Sequence, residues 1–490
     1  MRLTQLLCLP AILCALAGCS AHALRLAQAT GGGAGPIKAS LGAPVELGGI
    51  LAVAHPVAVP GDATGSTDSA APPAPPFAGQ AELSADALVE QVLARNPSLA
   101  QMIAAWQVAQ ARYPQAISLE DPTLAATVGP GTIRPDDPGV EFAYRLEIAQ
   151  KLPFPGKRAL RGETALAEAS AAARDVDDVR LQLIEAARTA FYDYFLVDRA
   201  LEVNADSLDL LKKFRDNAEK RYELGLVPQQ DKLQAEVELG REQERRLALE
   251  QMRKVAIARI NTLMHLPPDT ALPAPPKSVS PPAAMPEAAA LRELAVSRRP
   301  DLMALADRIR AEEAQLGLAH KEFYPDFEPF FMYDRFMGNV SENRDLATMI
   351  GVRTNVPVYR ARRYGAVSEA EARIAQRRAE LARLTDQVNF QVQEAYEKVL
   401  QAQQSVALYE KTILPKAKLN IDAAFAEYMA GKLSFLYLVE AQRSLVNLRD
   451  RYYETLAEYF RRRATLERVI GGPPEPGPDV RETPSLPAKR

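Results

Sequence analysis

No proline interrupts the chain between Pro155 and Pro228. A continuous helix from Lys157 to about Leu224 would be about 100 Å long at 1.5 Å per residue, far beyond the helices of an ordinary globular domain. An antiparallel return is expected from Gln229 to Met264. Alanine is dense near the start of the long helix (Ala165, Ala167, Ala169, Ala171, Ala172, Ala173), which favours the helix and lets neighbouring helices approach closely.

The plan occurs twice. Asn96-Pro97-Ser98-Leu99 returns as Arg299-Pro300-Asp301-Leu302, and Asp121-Pro122-Thr123-Leu124 returns as Tyr324-Pro325-Asp326-Phe327, both at an offset of 203 that Gly162 and Gly365 keep. Tyr222-Glu223-Leu224-Gly225 returns as Tyr428-Met429-Ala430-Gly431 at 206, as do Ala235 and Leu239 at Ala441 and Leu445. Such agreement marks an internal repeat. The second long helix is expected over Arg362 to Met429, kinked at Pro415, with its return over Ser434 to Ile470. Each half is expected to open on one helix of ordinary length, Ser84 to about Arg112 and Glu287 to about Glu322.

Between the opening helix and the long one the period changes from helical to alternating. From Glu141 to Leu152, Phe142, Tyr144, Leu146 and Ile148 lie on one side, with Glu141, Arg145, Glu147 and Lys151 on the other. In the second half Leu346, Ile350, Val352, Val356 and Val358 alternate with Ala347, Gly351, Arg353 and Asn355. Partner strands are expected over Pro122 to about Gly129 and over Pro325 to about Asp334, where Phe327, Phe331 and Tyr333 share a side.

Four strands with one greasy and one charged face need something to face. No segment beyond the first 18 residues carries the 18 or more apolar residues of a spanning helix. A spanning sheet must close, because lipid cannot satisfy an open edge, and small bacterial barrels start at about eight strands. If these strands span, they close only with strands of other subunits.

The start of the chain reads as an address. Arg2, an apolar run from Leu6 to Ala17 and then Leu16-Ala17-Gly18-Cys19 resemble a bacterial lipobox, giving a signal peptide over residues 1–18 and a lipid on Cys19; the alternative is an ordinary signal peptide with an incidental cysteine. Cys8 and Cys14 would leave with the leader, so no internal disulfide is expected. Ser20 in place of aspartate fits sorting to the outer membrane, and more than one acyl chain is needed for firm anchoring. Residues 19–80, rich in Ala, Gly and Pro, read as a flexible tether. The repeats then occupy 81–264 and 287–470, separated by a proline-rich linker over 265–286 and followed by a disordered tail over 471–490.

Other chemistry finds little support. The formal charge of −3 marks no partner, and bases alternate with acids, as in Arg241, Glu242, Glu244, Arg245 and Arg246, so nucleic acid is not indicated. The four histidines, His22, His55, His265 and His320, form no metal or general-base cluster. Gly31-Gly32-Gly33 and Gly35 follow no strand and are linker rather than a phosphate loop. No catalysis, cofactor or metal is expected. Phe191, Tyr192, Tyr194 and Phe195 are expected to pack between helices.

From about residue 81 to 470 the chain resembles the TolC outer-membrane efflux family, including its copper/silver and cobalt-zinc-cadmium branches. The resemblance rests on the duplicated Asn/Arg-Pro-x-Leu, the strand ending in Gln150-Lys151-Leu152-Pro153-Phe154-Pro155-Gly156-Lys157-Arg158, and Tyr-x-x-Gly followed by a downstream alanine. It implies a mainly α chain with a membrane β-barrel portion. Long helical hairpins would form a periplasmic tunnel, and four strands per chain would contribute to a twelve-stranded barrel in a homotrimer. The implied partners are outer-membrane lipid, a periplasmic adaptor protein and an inner-membrane pump. The implied function is a passive conduit of a tripartite efflux system, and Pro153 to Arg158 leans towards the heavy-metal branch rather than drugs.

The resemblance also makes the helix-to-return turns the adaptor-contacting tips, here Leu224, Gly225, Leu226 and Val227, and Ala430, Gly431, Lys432 and Leu433. The plainer reading of both glycines is helix capping, and the two are compatible. An acidic constriction above the tips would fall on Tyr437 and Glu440 in the second half and on Asp231 and Gln234 in the first. Tyr437 departs from the pattern, leaving Asp231 and Glu440 as a mixed ring, or else as solvated acids near helix N-termini. Two other classes stay open. A periplasmic adaptor would carry a lipoyl-like or small β-barrel domain and one hairpin; a structural coiled-coil envelope protein would show a sustained heptad.

Overall fold

The computed structural model describes residues 77, 79–129, 140–279, 285–338 and 347–474. The expectations for the leader, Cys19, most of the tether and the tail lie outside the described residues. Ser84 caps the first helix by accepting a hydrogen bond from the Ala87 amide at 3.1 Å, and α1 runs Ala85–Arg95. It does not continue to Arg112. A second helix, α2, spans Pro97–Ile117. Asn96 between them is extended (φ −69°, ψ 124°), because a residue before proline is pushed out of the α region. Its Oδ1 accepts from the Ser98 amide at 2.9 Å and its amide group donates to the Leu263 carbonyl.

The second half breaks in the same way. Helices α5 (Ala288–Arg298) and α6 (Pro300–Lys321) meet at Arg299, with φ −63° and ψ 123°. Each expected opening helix is therefore two, broken at the Asn-Pro or Arg-Pro that marks the repeat.

Helix α3 covers Lys157–Glu223 without interruption, and its return α4 covers Gln229–Leu263. The second arm is divided. Helix α7 (Arg360–Leu408) passes through a π turn at Tyr409–Ile413 into α8 (Leu414–Met429), and α9 returns over Phe435–Val469. Pro415 sits just beyond the π turn, where it would lack a donor and crowd a carbonyl. The offset between halves rises from 203 at Gly162 and Gly365 to 206 at Tyr222 and Tyr428. The second arm thus holds three more residues, and a π turn is a means of absorbing an extra residue in a helix.

The four strands among the described residues are β1 (Thr123–Gly129), β2 (Val140–Ala149), β3 (Phe327–Gly338) and β4 (Ala347–Thr354). They form one antiparallel sheet in the order β1-β2-β3-β4, so the hairpin of each half contributes two strands and β1 and β4 are its edges. Strand β2 ends at Ala149, and Leu152 makes only an isolated bridge to Phe327. Strand β4 ends at Thr354, so Val356 and Val358 run on beyond the ladder.

Among the described residues three buried clusters hold the helices. In the first half, Phe191 and Tyr194 of α3 pack with Leu88, Val92, Ile260 and Met264, and Phe77 joins them. In the second half, Phe195 packs with Val388, Val392, Val399, Leu456 and Tyr459. One long helix therefore serves both halves through neighbouring aromatic residues, as expected for Phe191, Tyr194 and Phe195. A third cluster, near the turns, joins Leu211, Phe214 and Ala235 to Ile421, Tyr428, Phe435 and Leu438.

The proline-rich connection is docked along the helices. Leu83 donates its amide to Ala274 at 2.8 Å, Asn261 donates to Pro268 and Thr270, and Arg199 donates to Lys277. His265 takes φ +55° at the turn that starts it.

Candidate functional site

The register of the sheet sorts its side chains into two chemically opposite faces. Arg145 of β2 stands opposite Asp334 of β3 and binds it with two parallel hydrogen bonds of 2.7 and 2.8 Å. On the same face Arg353 of β4 pairs with Glu147 and, at 3.3 Å, with Glu328, lying over the Phe330 ring at 4.6 Å. That ring occupies the space over Gly351, where an added Cβ would collide with it. Ion pairs thus cross three strands. Arg145, Glu147 and Arg353 were expected to share a face, and Asp334 and Glu328 are partners the alternation did not identify.

The opposite face is mainly aliphatic, with the exposed Arg335 standing opposite Tyr144 at its far end. Leu124 (75% exposed), Leu146, Ile148, Phe331, Ile350 (83%) and Val352 (61%) stand on it, with Tyr144 and Tyr333 near its far end at 6.2 Å between ring centroids. A sheet face of aliphatic side chains open to its surroundings, backed by a charged face and bounded by two edges that no described residue pairs, is incomplete as an isolated soluble layer.

Where the sheet meets the long helix, Gly156 (φ +91°) lets the chain turn into α3. Lys157 follows with its side chain fully buried, 2.9 Å from Asp326 and 3.5 Å from Glu322. Asp326 also accepts from the Phe154 amide at 2.8 Å. Burial is the largest single influence on its carboxyl and opposes ionisation. The hydrogen bonds from Lys157 and Phe154 and the charges of Lys157 and Arg161 together outweigh burial and hold the carboxyl below the usual carboxylate range. Phe154 stacks on Tyr324 at 4.6 Å, so the strand end of one half is clamped to that of the other.

At the far ends of the helices both turns have the same form. Gly225 and Gly431 each take φ +69°. The Leu226 amide reaches back to Arg221 and the Lys432 amide to Glu427, with the inner bonds from Gly225 to Tyr222 and from Gly431 to Tyr428. These are Schellman closures, so the capping reading of both glycines holds. Leu224 and Leu226 are exposed and Val227 is half-buried; in the second turn Ala430, Gly431 and Lys432 are exposed and Leu433 is half-buried.

The structure brings the two turns together. Arg221 donates to the carbonyls of Tyr428 and Met429 at 2.6 and 3.1 Å, capping the end of α8 from α3. Tyr428 is buried whereas its repeat mate Tyr222 is exposed. Asp231 is half-buried near this pair. Burial pushes its carboxyl up and Arg221 draws it partly back.

Glu440 lies in a different network. It is exposed, 3.9 Å from Arg443, and Arg443 binds the buried Glu238 of α4, which Arg241 also holds at 3.0 Å. Within one chain Asp231 and Glu440 are thus not brought into one cluster. Glu238 is absent from the sequence expectations; its repeat counterpart is Ser444, so duplication gave no signal, although a glutamate three residues before Arg241 on a helix is a pairing pattern. Higher in the hairpins Gln442 donates to Ser207 at 2.6 Å, Arg449 pairs with Asp206 at 2.8 Å and Arg245 pairs with Asp450. Burial raises the carboxyls of Glu242 and Asp450.

Among the described residues no group of three or more His, Cys, Asp or Glu side chains is placed to hold a metal ion, and no helix is long and apolar enough to cross a membrane.

Paired long hairpins under an amphipathic sheet with two open edges define the architecture of an outer-membrane channel subunit. The family model described as outer membrane efflux protein matches residues 88–264 and 291–472, and the chain belongs to that family. It is an outer-membrane efflux channel component. A curated relative, the cobalt-zinc-cadmium resistance protein CzcC of Cupriavidus metallidurans, is 23% identical over 298 residues, which cover 60% of this chain and 68% of the relative. The fold is shared with the outer-membrane channel OprN, at TM-score 0.67 and 21% identity over 79% of this chain and 90% of that one. It is shared equally with the outer membrane protein VceC of Vibrio cholerae, at TM-score 0.67 and 22% identity over 79% and 96%.

Proposed function

We propose that three copies of this chain close their four-stranded sheets into one barrel and align their hairpins into one periplasmic tunnel, through which solutes pass without chemical change. The observation that carries this reading is the division of the sheet into an exposed aliphatic face and an ion-paired face. Lipid satisfies the first and a wet lumen the second, while joining β1 of one copy to β4 of the next removes both edges. On this reading Tyr144, Leu146, Ile350 and Val352 face lipid and Arg145, Glu147 and Arg353 line the lumen; the side chain of Phe142, expected on the lipid face, lies outside the described residues. Purified protein that fractionates with the outer membrane as heat-modifiable trimers supports it; a soluble monomer refutes it.

Cys19 is the proposed lipid anchor, tested by mass spectrometry of the mature N-terminus, where an unmodified start elsewhere contradicts it. The tips at Leu224, Gly225, Leu226 and Val227 and at Ala430, Gly431, Lys432 and Leu433 are proposed to meet the adaptor of an inner-membrane pump. Docking would favour a splayed state to the extent that the adaptor binds it more tightly.

Glu440, exposed and three residues from Arg443, would recur three times about the axis, with Asp231 nearby in the same end of the tunnel. Like charges so placed repel one another but attract cations. Replacing Glu440 by Gln is expected to change cation block and conductance in bilayers without changing trimer yield; identical conductance, selectivity and block reduce it to a solvated helix charge. The cargo is proposed to be heavy-metal ions, on the Pro153 to Arg158 run and the likeness to a cobalt-zinc-cadmium resistance protein. Deletion that sensitises cells to drugs and leaves metal tolerance unchanged overturns that assignment.

A further inference from the structure

Exposed apolar side chains continue past the end of β4. Beyond Ile350 and Val352 the chain presents Val356, Val358 and then Tyr359, which is 79% exposed. Two arginines follow at once. Within one chain Arg360 and Arg362 are both exposed and engage no acidic side chain among the described residues. Arg363 is turned inward instead, donating to the carbonyls of Glu322 and Tyr359 at 2.6 and 3.2 Å, and Tyr364 packs its ring on Phe323 at 5.2 Å. That pair fixes the segment against the base of the sheet. Alongside, Lys321 stands over the Phe154 and Tyr324 rings, and Arg158 donates to the Ile117 carbonyl at 2.8 Å.

Read along the chain from the sheet towards the helices, Ile350, Val352, Val356 and Val358 give way to Tyr359 and then to Arg360 and Arg362, while the intervening Arg353 and Asn355 are engaged by Glu147 and the Asp326 amide. A bilayer leaflet changes in the same order, from acyl chain through the aromatic-rich interface to phosphate. Paired bases next to an apolar anchor select anionic headgroups over zwitterionic ones. A protein surface would not require the three chemistries to follow one another in depth.

We propose that Val356 to Arg362 forms a headgroup collar that binds anionic phospholipid in the leaflet nearest the helices, with Arg360 and Arg362 on the phosphates and Tyr359 at the interface. The proposal rests on the sheet spanning the membrane. It adds a lipid preference that channel activity alone does not require.

The test is native mass spectrometry of the full-length purified protein titrated with phosphatidylglycerol or phosphatidylethanolamine. Wild type is expected to retain phosphatidylglycerol preferentially. The R360Q/R362Q variant should lose that preference by roughly fivefold per arginine, whereas R360K/R362K, and K416Q/K418Q far down α8, should keep it. An unchanged preference in R360Q/R362Q, or an equal loss in K416Q/K418Q, overturns the collar. If R360Q/R362Q does not assemble, the wild-type preference decides: it must weaken as salt is raised, and salt independence overturns the proposal. Conductance of the same wild-type preparation separates failure of the collar from failure of the channel reading.

Discussion

Arg221, three residues before the turn that ends the first long helix, donates at 2.6 Å to the carbonyl of Tyr428 in the second arm and lies 4.9 Å from the centre of its ring. One side chain thereby caps one helix and holds two hairpin ends together. Replacing Arg221 by Met removes both contacts while keeping the apolar stem, at a cost of about 1–2 kcal/mol. The tips should separate more readily. Higher single-channel conductance and faster amide exchange over residues 424–433, with trimer yield unchanged, are the expected results; unaltered exchange there removes the link from the gate.

The two faces of the sheet predict opposite tolerance. Leu146→Arg places a charge on the aliphatic face and should cost about 2–4 kcal/mol if it lies near the midplane. Ala125→Arg places the same charge on the ion-paired face, opposite Glu147 in the register, and should be nearly neutral. Assembly yield in the outer membrane reads the difference, and equal tolerance contradicts the assignment of faces.

At the base of the sheet, buried Lys157 depends on Asp326. Asp326→Asn leaves the ammonium with Glu322 as its one acidic neighbour among the described residues and should lower trimer stability by about 3 kcal/mol. The pH dependence has a definite sign. The folded-state carboxyl of Asp326 titrates below its ordinary value, so its contribution is complete above about pH 4 and is lost as pH falls through the lowered folded value. The gap in dissociation temperature between wild type and Asp326→Asn should therefore be constant near neutrality and close in acid; a gap that widens in acid reverses the sign and refutes the argument.

Much of this arrangement is legible in the sequence because it is local. Alternation showed the strand faces, absence of proline showed the reach of α3, and Tyr-x-x-Gly showed both turns, since the left-handed backbone at Gly225 and Gly431 favours glycine. The breaks at Asn96 and Arg299 depart from the expectation of one opening helix per half although their signal is in the sequence: the restriction that proline places on the preceding residue outweighs continuous helical periodicity. The π turn before Pro415 was expected only as a kink, because a widened turn depends on how α7 and α8 must stay in register with their neighbours. Arg221 with Tyr428 and Glu238 with Arg443 lie about 205 residues apart in sequence, and no local pattern connects them.

The exposed leucines at the first turn separate docking from capping. Gly225→Ala should cost about 1–2 kcal/mol locally through its positive φ and weaken adaptor capture only in proportion. Leu224→Ser with Leu226→Ser leaves the backbone closure intact and should abolish adaptor capture in a pull-down from detergent extracts. Full capture by the serine variant assigns this turn to capping alone.

Closure of three sheets into one barrel is tested most directly at the sheet edges. Single cysteines on β1 at Leu124, Ala126 or Val128 are combined with single cysteines on β4 at Thr348, Ile350 or Val352, and the protein is oxidised in the outer membrane. One register of pairs should give disulfides between different chains, with the denatured ladder ending at three chains. A ladder that continues past three, or folded outer-membrane protein in which no β1–β4 pair links two chains, contradicts the shared barrel.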